Sequence, residues 1–111
     1  MRNSADFRRT VRRGIRAGRP TVVVHAASST STDVLVGFVV SKAVGNAVVR
    51  NSVKRRLRHI ARDRLTDTPA GCRIVLRALP AAATRAGALR TDVDSAWLSA
   101  LERLSRRGGF A

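Results

Sequence analysis

Between residues 47 and 65 the apolar side chains Val49, Val53, Leu57, Ile60 and Ala61 recur at steps of four, four, three and one. At about 100° per residue they fall within an arc of about 120°, the pattern of an α-helix with one buried face. The remaining surface of that helix is not the usual mixture of signs. From Lys42 to Arg62 the charged residues are Lys42, Arg50, Lys54, Arg55, Arg56, Arg58 and Arg62, and the next acid is Asp63. Arg50, Lys54, Arg58 and Arg62 stand four apart, the spacing at which like charges repel on a helix. A solvated helix gains by alternating signs at that spacing, so a helix of this kind calls for an external anion. Its small aliphatic stripe suits packing on a sheet and lacks the Trp or Phe anchors of a membrane-surface helix. Phosphate binding is the favoured reading, with an affinity that falls steeply as salt rises. Asn51 shares the cationic face. Gly45-Asn46 is the corner before the helix, with Asn46 the expected N-cap and the helix N-terminal amides beside it a natural phosphate site.

The rest of the chain supplies the sheet. "TVVVHAA" (21–27) is β-branched and too short for a helix. "VLVGFVVS" (34–41) is nearly continuous in apolar residues, as expected of a central strand covered on both faces. "CRIVLRALP" (72–80) is a further strand ended by Pro80, and Ile15 to Ala17 can add a short extra one. Before the sheet, Ser4 is the expected N-cap of a first helix over about 5–13, with Asp6 in its first turn, Phe7 and Val11 on one face and Gly14 closing it. After it, "AAATRAGALR" reads as an irregular connector. Thr91-x-x-Asp94 resembles a capping box that opens a last helix with Val93, Trp97, Ala100, Leu101 and Leu104 on one face. The order α-β-β-(β)-α-β-α predicts an α+β, two-layer sandwich. One domain spans 1–111, with a frayed tail from about residue 106.

Composition narrows the class of partner. Lys and Arg number 22 against 7 Asp and Glu, a formal charge of +15 on 111 residues. Such an excess repels itself in the folded state and is most simply offset by a polyanion. The lone Cys72 opens an apolar run and reads as a buried, inert thiol in a reducing, cytoplasmic setting. No apolar run approaches the length of a membrane helix. The Arg-rich start shares some character with a transit peptide, but Asp6 interrupts its charge and its apolar spacing assigns it to the fold.

An autonomous nuclease would need a general base, or acids and histidines grouped around metal. The chain offers His25 and His59, far apart in sequence, and an Asp63 and Asp67 flanked by arginines. Solvated ion pairs account for these better, although a fold can gather distant acids. A helix-turn-helix is disfavoured because the basic helix follows a strand rather than a partner helix. A structural, ribosomal-type RNA-binding protein fits the composition equally well.

"VGFVVSKAVGNAVVRNSVKRRLRH" (36–59) resembles the signature of the bacterial ribonuclease P protein component: a strand ending in Ser-Lys, a Val-Gly-Asn-Ala-Val corner and an Arg-Asn-Arg-x-x-Lys-Arg helix. "SADFRRTVRRGIRAGRPTVVVH" resembles that family's opening, and "CRIVLRALP" with the last helix its end, so the likeness covers almost the whole chain in order. Ser52 stands where the family usually has Arg, with Arg55 and Arg56 as neighbouring cations, and Ala43 where a second Lys is common. Val11 and Val39 stand at positions where a larger aromatic or a hydroxyl occurs. The resemblance implies a ribosomal protein S5 domain 2-like fold. It also implies a cytoplasmic subunit that binds the catalytic RNA of ribonuclease P and helps that RNA remove the 5′ leader of precursor tRNA by hydrolysis. It implies no catalytic residue in this chain, the chemistry lying with the RNA and its Mg²⁺. On the matched positions it assigns Arg50, Asn51, Lys54, Arg55, Arg58, Asn46 and Arg62 to the catalytic RNA, and Phe7, His25, Ser41 and Lys42 to a groove for the single-stranded leader. Phe7 fits base stacking and plain core packing equally.

Overall fold

The computed structural model describes residues 4–108, the side chain of Ser4 excepted. Helix α1 (Ser4–Arg13) leads into strands β1 (Ile15–Gly18), β2 (Val22–Ser28) and β3 (Leu35–Val39). Helix α2 (Ala47–Leu65) follows, then β4 (Cys72–Ala78), the short helix α3 (Ala81–Thr84), a 3₁₀ turn at Ala86–Ala88 and helix α4 (Leu89–Arg106). The strands form one sheet in the order β1-β2-β4-β3. β2 pairs antiparallel with both β1 and β4, whereas β3 runs parallel to β4. The parallel pairing follows from α2, which carries the chain from the end of one strand back to the start of the other.

Alternation along the strands assigns each face. Val22, Val24 and Ala26 of β2 and Cys72, Ile74, Leu76 and Ala78 of β4 enter one core with Val53, Leu57, Ile60 and Ala61 of α2 and Val93, Trp97, Ala100 and Leu104 of α4. These two layers are the predicted α+β sandwich. Trp97 is its largest fully buried side chain. Its indole N–H donates to Thr68 Oγ1 at 3.0 Å, and that hydroxyl donates to the Arg64 carbonyl at 2.7 Å. One buried ring thus ties α4 to the end of α2 with its polar atom satisfied.

The alternate residues, Val23 and His25 on β2 and Arg73, Val75 and Arg77 on β4, face the other way, where α1 packs on both strands. Arg73 is 6% exposed. Its Nε donates to Asp6 Oδ2 of α1 at 3.1 Å, and its two terminal nitrogens donate to the carbonyl and carboxylate of Asp33, at 3.1 and 3.3 Å. One guanidinium therefore fastens both α1 and the β2–β3 loop to the sheet. Gly14 lets α1 end hard against β2, because a Cβ there would sit 2.4 Å from the Thr10 carbonyl oxygen and 2.5 Å from that of Ala26.

Several expectations need correction. β3 is an edge strand, half-buried for most of its length, not a central one. The return through α2 inserts β4 between β2 and β3, so β4 is the strand flanked on both sides. Val40 and Ser41 leave the ladder for the turn before α2, and Leu79 and Pro80 leave β4. The capping box does not form: α4 begins at Leu89, and its N-cap Ala88 makes no side-chain hydrogen bond. Asp92 instead accepts from the Thr21 N–H at 3.1 Å and the Thr21 hydroxyl at 2.7 Å, and Asp94 lies 3.6 Å from Arg64. The Ala-rich connector contains α3 and the 3₁₀ turn. The capping role expected of Ser4 and half of the expected tail, residues 109–111, lie outside the described residues; within the other half α4 runs to Arg106, and Arg107 donates to the Arg13 carbonyl at 2.8 Å.

Two outcomes follow from this packing. Arg73→Met keeps aliphatic bulk but removes the buried guanidinium that joins α1 and the β2–β3 loop to the sheet, and urea unfolding should show a loss of about 2 kcal/mol. His25 is 3% exposed and neither ring nitrogen has a hydrogen-bond partner. Burial, and then Arg77 and Arg16 on the same face, hold its pKa below the usual 6.5. The unfolded histidine therefore takes up its proton before the folded one, and stability should fall as pH drops from 7 towards 5. Urea midpoints should follow that trend, and His25→Leu should flatten it.

Candidate nucleic-acid interface

The corner before α2 is built as the sequence requires. Asn46 has extended backbone angles, φ −70° and ψ 178°, and its Oδ1 accepts from the Val49 N–H at 3.0 Å. A Cβ on Gly45 would lie 2.7 Å from Val49 Cγ1, so only glycine lets the chain pass this close to the first turn of the helix. Ser41 and Lys42 are exposed in the preceding turn, where their carbonyls accept from Val44 N–H at 3.1 Å and Gly45 N–H at 3.2 Å.

Once Val53, Leu57, Ile60 and Ala61 are buried, the cations of α2 must point outward. Lys54 and Arg58 border a cavity of about 340 Å³ beside Val36, Gly37 and Phe38 at the edge strand. The Arg58 guanidinium lies 6.0 Å from the centroid of the Phe38 ring, a cation–π arrangement. Arg58 and Arg62 also border an apolar groove with Leu35 and Leu65. Asn51, Arg55 and Arg62 are exposed, and Arg50 is half-buried. Ser52 lies on the opposite flank, beside Arg56, whose guanidinium donates to the Ala86 carbonyl at 3.0 Å. Of the two cations next to Ser52 in sequence, Arg56 is therefore committed in part to the 3₁₀ turn.

The acids are placed elsewhere. Asp63 pairs with Arg90 at 2.9 Å, Asp67 and Asp94 approach Arg64 at 3.9 and 3.6 Å, and Asp6 and Asp33 hold Arg73. Among the described residues, no carboxylate pairs with Arg50, Lys54, Arg55, Arg58 or Arg62. The same placement leaves the described residues without three His, Cys, Asp or Glu side chains grouped to hold a metal ion. Cys72 is buried, and burial pushes its thiol up to about 11, so it is not poised as a nucleophile.

The predicted groove residues divide between two places. Phe7 is half-buried on α1, and His25 is on the sheet face that α1 partly covers. Ser41 and Lys42 lie in the turn beyond β3, with β4 between them and the strand of His25. Two cations on the His25 face escaped the sequence reading. The register sets Arg16 directly opposite His25, and Arg77 opposite Val23 one alternation further on. Nε of Arg77 is buried without a hydrogen-bond partner. The alternation of "CRIVLRA" was the available signal, since it separates Arg73 and Arg77 from Cys72, Ile74, Leu76 and Ala78.

Residues 1–101 match the family described as Ribonuclease P. The ribonuclease P protein component of Salinispora tropica is 46% identical, over 96% of this chain and 93% of that one. The protein of the same name from Kocuria rhizophila is 52% identical, over 93% and 92%. The solved structure of the Staphylococcus aureus RNase P protein superposes with a TM-score of 0.81 at 24% identity, over 90% and 93% of the two chains, a likeness of fold. With its sandwich, its Asn-capped corner and its uncompensated basic helix, the chain belongs to the ribonuclease P protein component family, the protein subunit of an endoribonuclease of tRNA processing.

Proposed function

We propose that this chain grips the catalytic RNA of ribonuclease P through α2 and steadies the 5′ leader of precursor tRNA on the sheet face beside α1. The observation that carries the first part is the run of cations with no carboxylate partner among the described residues, from Arg50 to Arg62, on a helix held rigidly by its buried stripe. Arg50, Lys54, Arg55, Arg58 and Arg62 would neutralise phosphates, Arg by bidentate hydrogen bonds and Lys as a point charge. Asn51 adds a donor and acceptor, and the N-terminal amides beside Asn46 a further phosphate site. For the leader, Phe7 offers a ring for stacking and Ser41 and Lys42 polar contacts beyond β3, with Arg16 and Arg77 supplying positive potential on the face where the His25 ring itself is buried.

The holoenzyme hydrolyses a phosphodiester, and we assign that chemistry to the RNA. Six of the seven acids are engaged by arginines or by Thr21 in structural roles, Glu102 stands, among the described residues, alone on the exposed side of α4, and they are poor candidates for metal ligands. Mg²⁺ would act as a Lewis acid from sites on the RNA. Nothing in the described helices is long and apolar enough to cross a membrane, and a cytoplasmic setting is part of this reading. A purely structural RNA-binding role would use the same cations, and the family membership favours the processing subunit.

Cleavage of a precursor tRNA by a bacterial ribonuclease P RNA at low Mg²⁺, with and without the protein, tests the reading. Stimulation should require both components, and the Arg50→Ala, Lys54→Ala double variant should lose most of it. The salt dependence of RNA binding should become shallower by a slope of about two in that variant. Cleavage by the protein alone would refute the assignment of chemistry to the RNA. RNA binding without stimulation would favour the structural role.

A further inference from the structure

α2 has a second charged flank, turned away from the edge strand and towards α4. A cavity of about 370 Å³ opens there, lined by Arg55, Arg56, His59, Ile60 and Arg90. Only Arg55 of these belongs to the cationic surface described above. Ile60 is 5% exposed, so the floor is apolar and fixed by the core. Two of the three guanidiniums are held in place: Arg56 donates to the Ala86 carbonyl at 3.0 Å, and Arg90 donates to Asp63 at 2.9 Å. Each of those contacts occupies one terminal nitrogen and leaves most of the five N–H donors of the fork unused. Asp63 offsets one of the three positive charges.

A bare phosphate would meet the guanidiniums but leave most of this volume empty and the exposed His59 ring uncovered. A planar base without phosphate would stack on the His59 ring above the Ile60 floor but not meet the charge. The cavity lies within the size range of small-ligand sites, and a phosphate joined to a planar heterocycle satisfies both halves. A nucleotide stacked in an RNA helix cannot present its base this way, whereas an unpaired one can. We propose that this cavity takes a single unpaired nucleotide of the bound RNA, its phosphate between Arg56 and Arg90 and its base against Ile60 and the His59 ring. The inference rests on the reading of α2 as an RNA grip and extends that grip to the flank facing α4.

Two measurements on the folded full chain test it. In the first, the protein is titrated with adenosine or uridine monophosphate, and separately with inorganic phosphate at matched ionic strength, while the His59 ring, Ile60 methyl and Arg90 Nε–H resonances are followed by NMR. The nucleotides should shift all three and bind at least about tenfold more tightly than phosphate, as a base contact adds to the ion pair. Equal affinities would overturn the nucleotide assignment, and unmoved resonances would overturn the site itself. In the second, binding of ribonuclease P RNA is compared for His59→Ala, Arg90→Gln and Arg50→Ala, with far-UV circular dichroism as the check on folding. His59→Ala has no hydrogen bond in the fold to lose, and Arg90→Gln gives up only the exposed Asp63 pair. Arg90→Gln should weaken binding roughly tenfold, as loss of a charge-assisted contact, and His59→Ala severalfold. If Arg50→Ala weakens binding but neither pocket variant does, the pocket is refuted and the RNA grip stands. If all three bind as the unaltered protein does, the RNA-grip reading fails with it.

Discussion

Burial of one narrow stripe of α2 against the sheet governs the organisation of this protein. Val53, Leu57, Ile60 and Ala61 are pinned into the core shared with β2, β4 and α4. A helix has only about 360° of surface to distribute, and with that arc taken the cations must share the rest. Their mutual repulsion cannot be relieved by turning the helix, because that would expose the stripe and bury guanidiniums at a cost of several kcal/mol for each unpaired charge. The basic face is thus held in a repelling arrangement by hydrophobic burial, which leaves it open to an anion from outside.

The few acids decide which cations remain available. One carboxylate pair immobilises Arg73 beneath α1, others settle Arg64 and Arg90 between α2 and α4, and Asp92 caps nothing but binds Thr21 at the start of β2. Each of these ties two elements together. None is placed on the flank from Arg50 to Arg62. Structural cations and ligand-ready cations look alike in composition, and they are separated here by the positions of a handful of aspartates.

Much of this was legible before any coordinates. The extent of α2, the Asn46 cap and the opposed orientations of Val24 and His25 follow from local periodicity and capping chemistry, which act over a few residues. The edge position of β3 was not legible. A strand with apolar residues throughout reads as central, yet β3 is half-buried for most of its length and, among the described residues, has a neighbouring strand on one side alone. The failed capping box has the same origin. Thr91-x-x-Asp94 is a sound local signal, but the helix gains three further residues at its start, Leu89 is buried, and Asp92 finds a better partner in Thr21, distant in sequence.

Residue order alone therefore determined the four strands and the three long helices in outline, the amphipathic division of α2 and the positive excess that calls for a polyanion, because these depend on neighbours within one or two helical turns or on simple charge balance. Tertiary structure decided strand order, the service of Arg73 as a buried clamp, the isolation of His25 between Arg16 and Arg77, and the meeting of Arg90 with Arg56 across two helices. Those outcomes depend on pairs separated by many residues, such as Arg73 with Asp6 or Arg90 with Asp63. Several alternative partners of equal charge compete for each, and only the packing of the apolar core selects which of them come within reach.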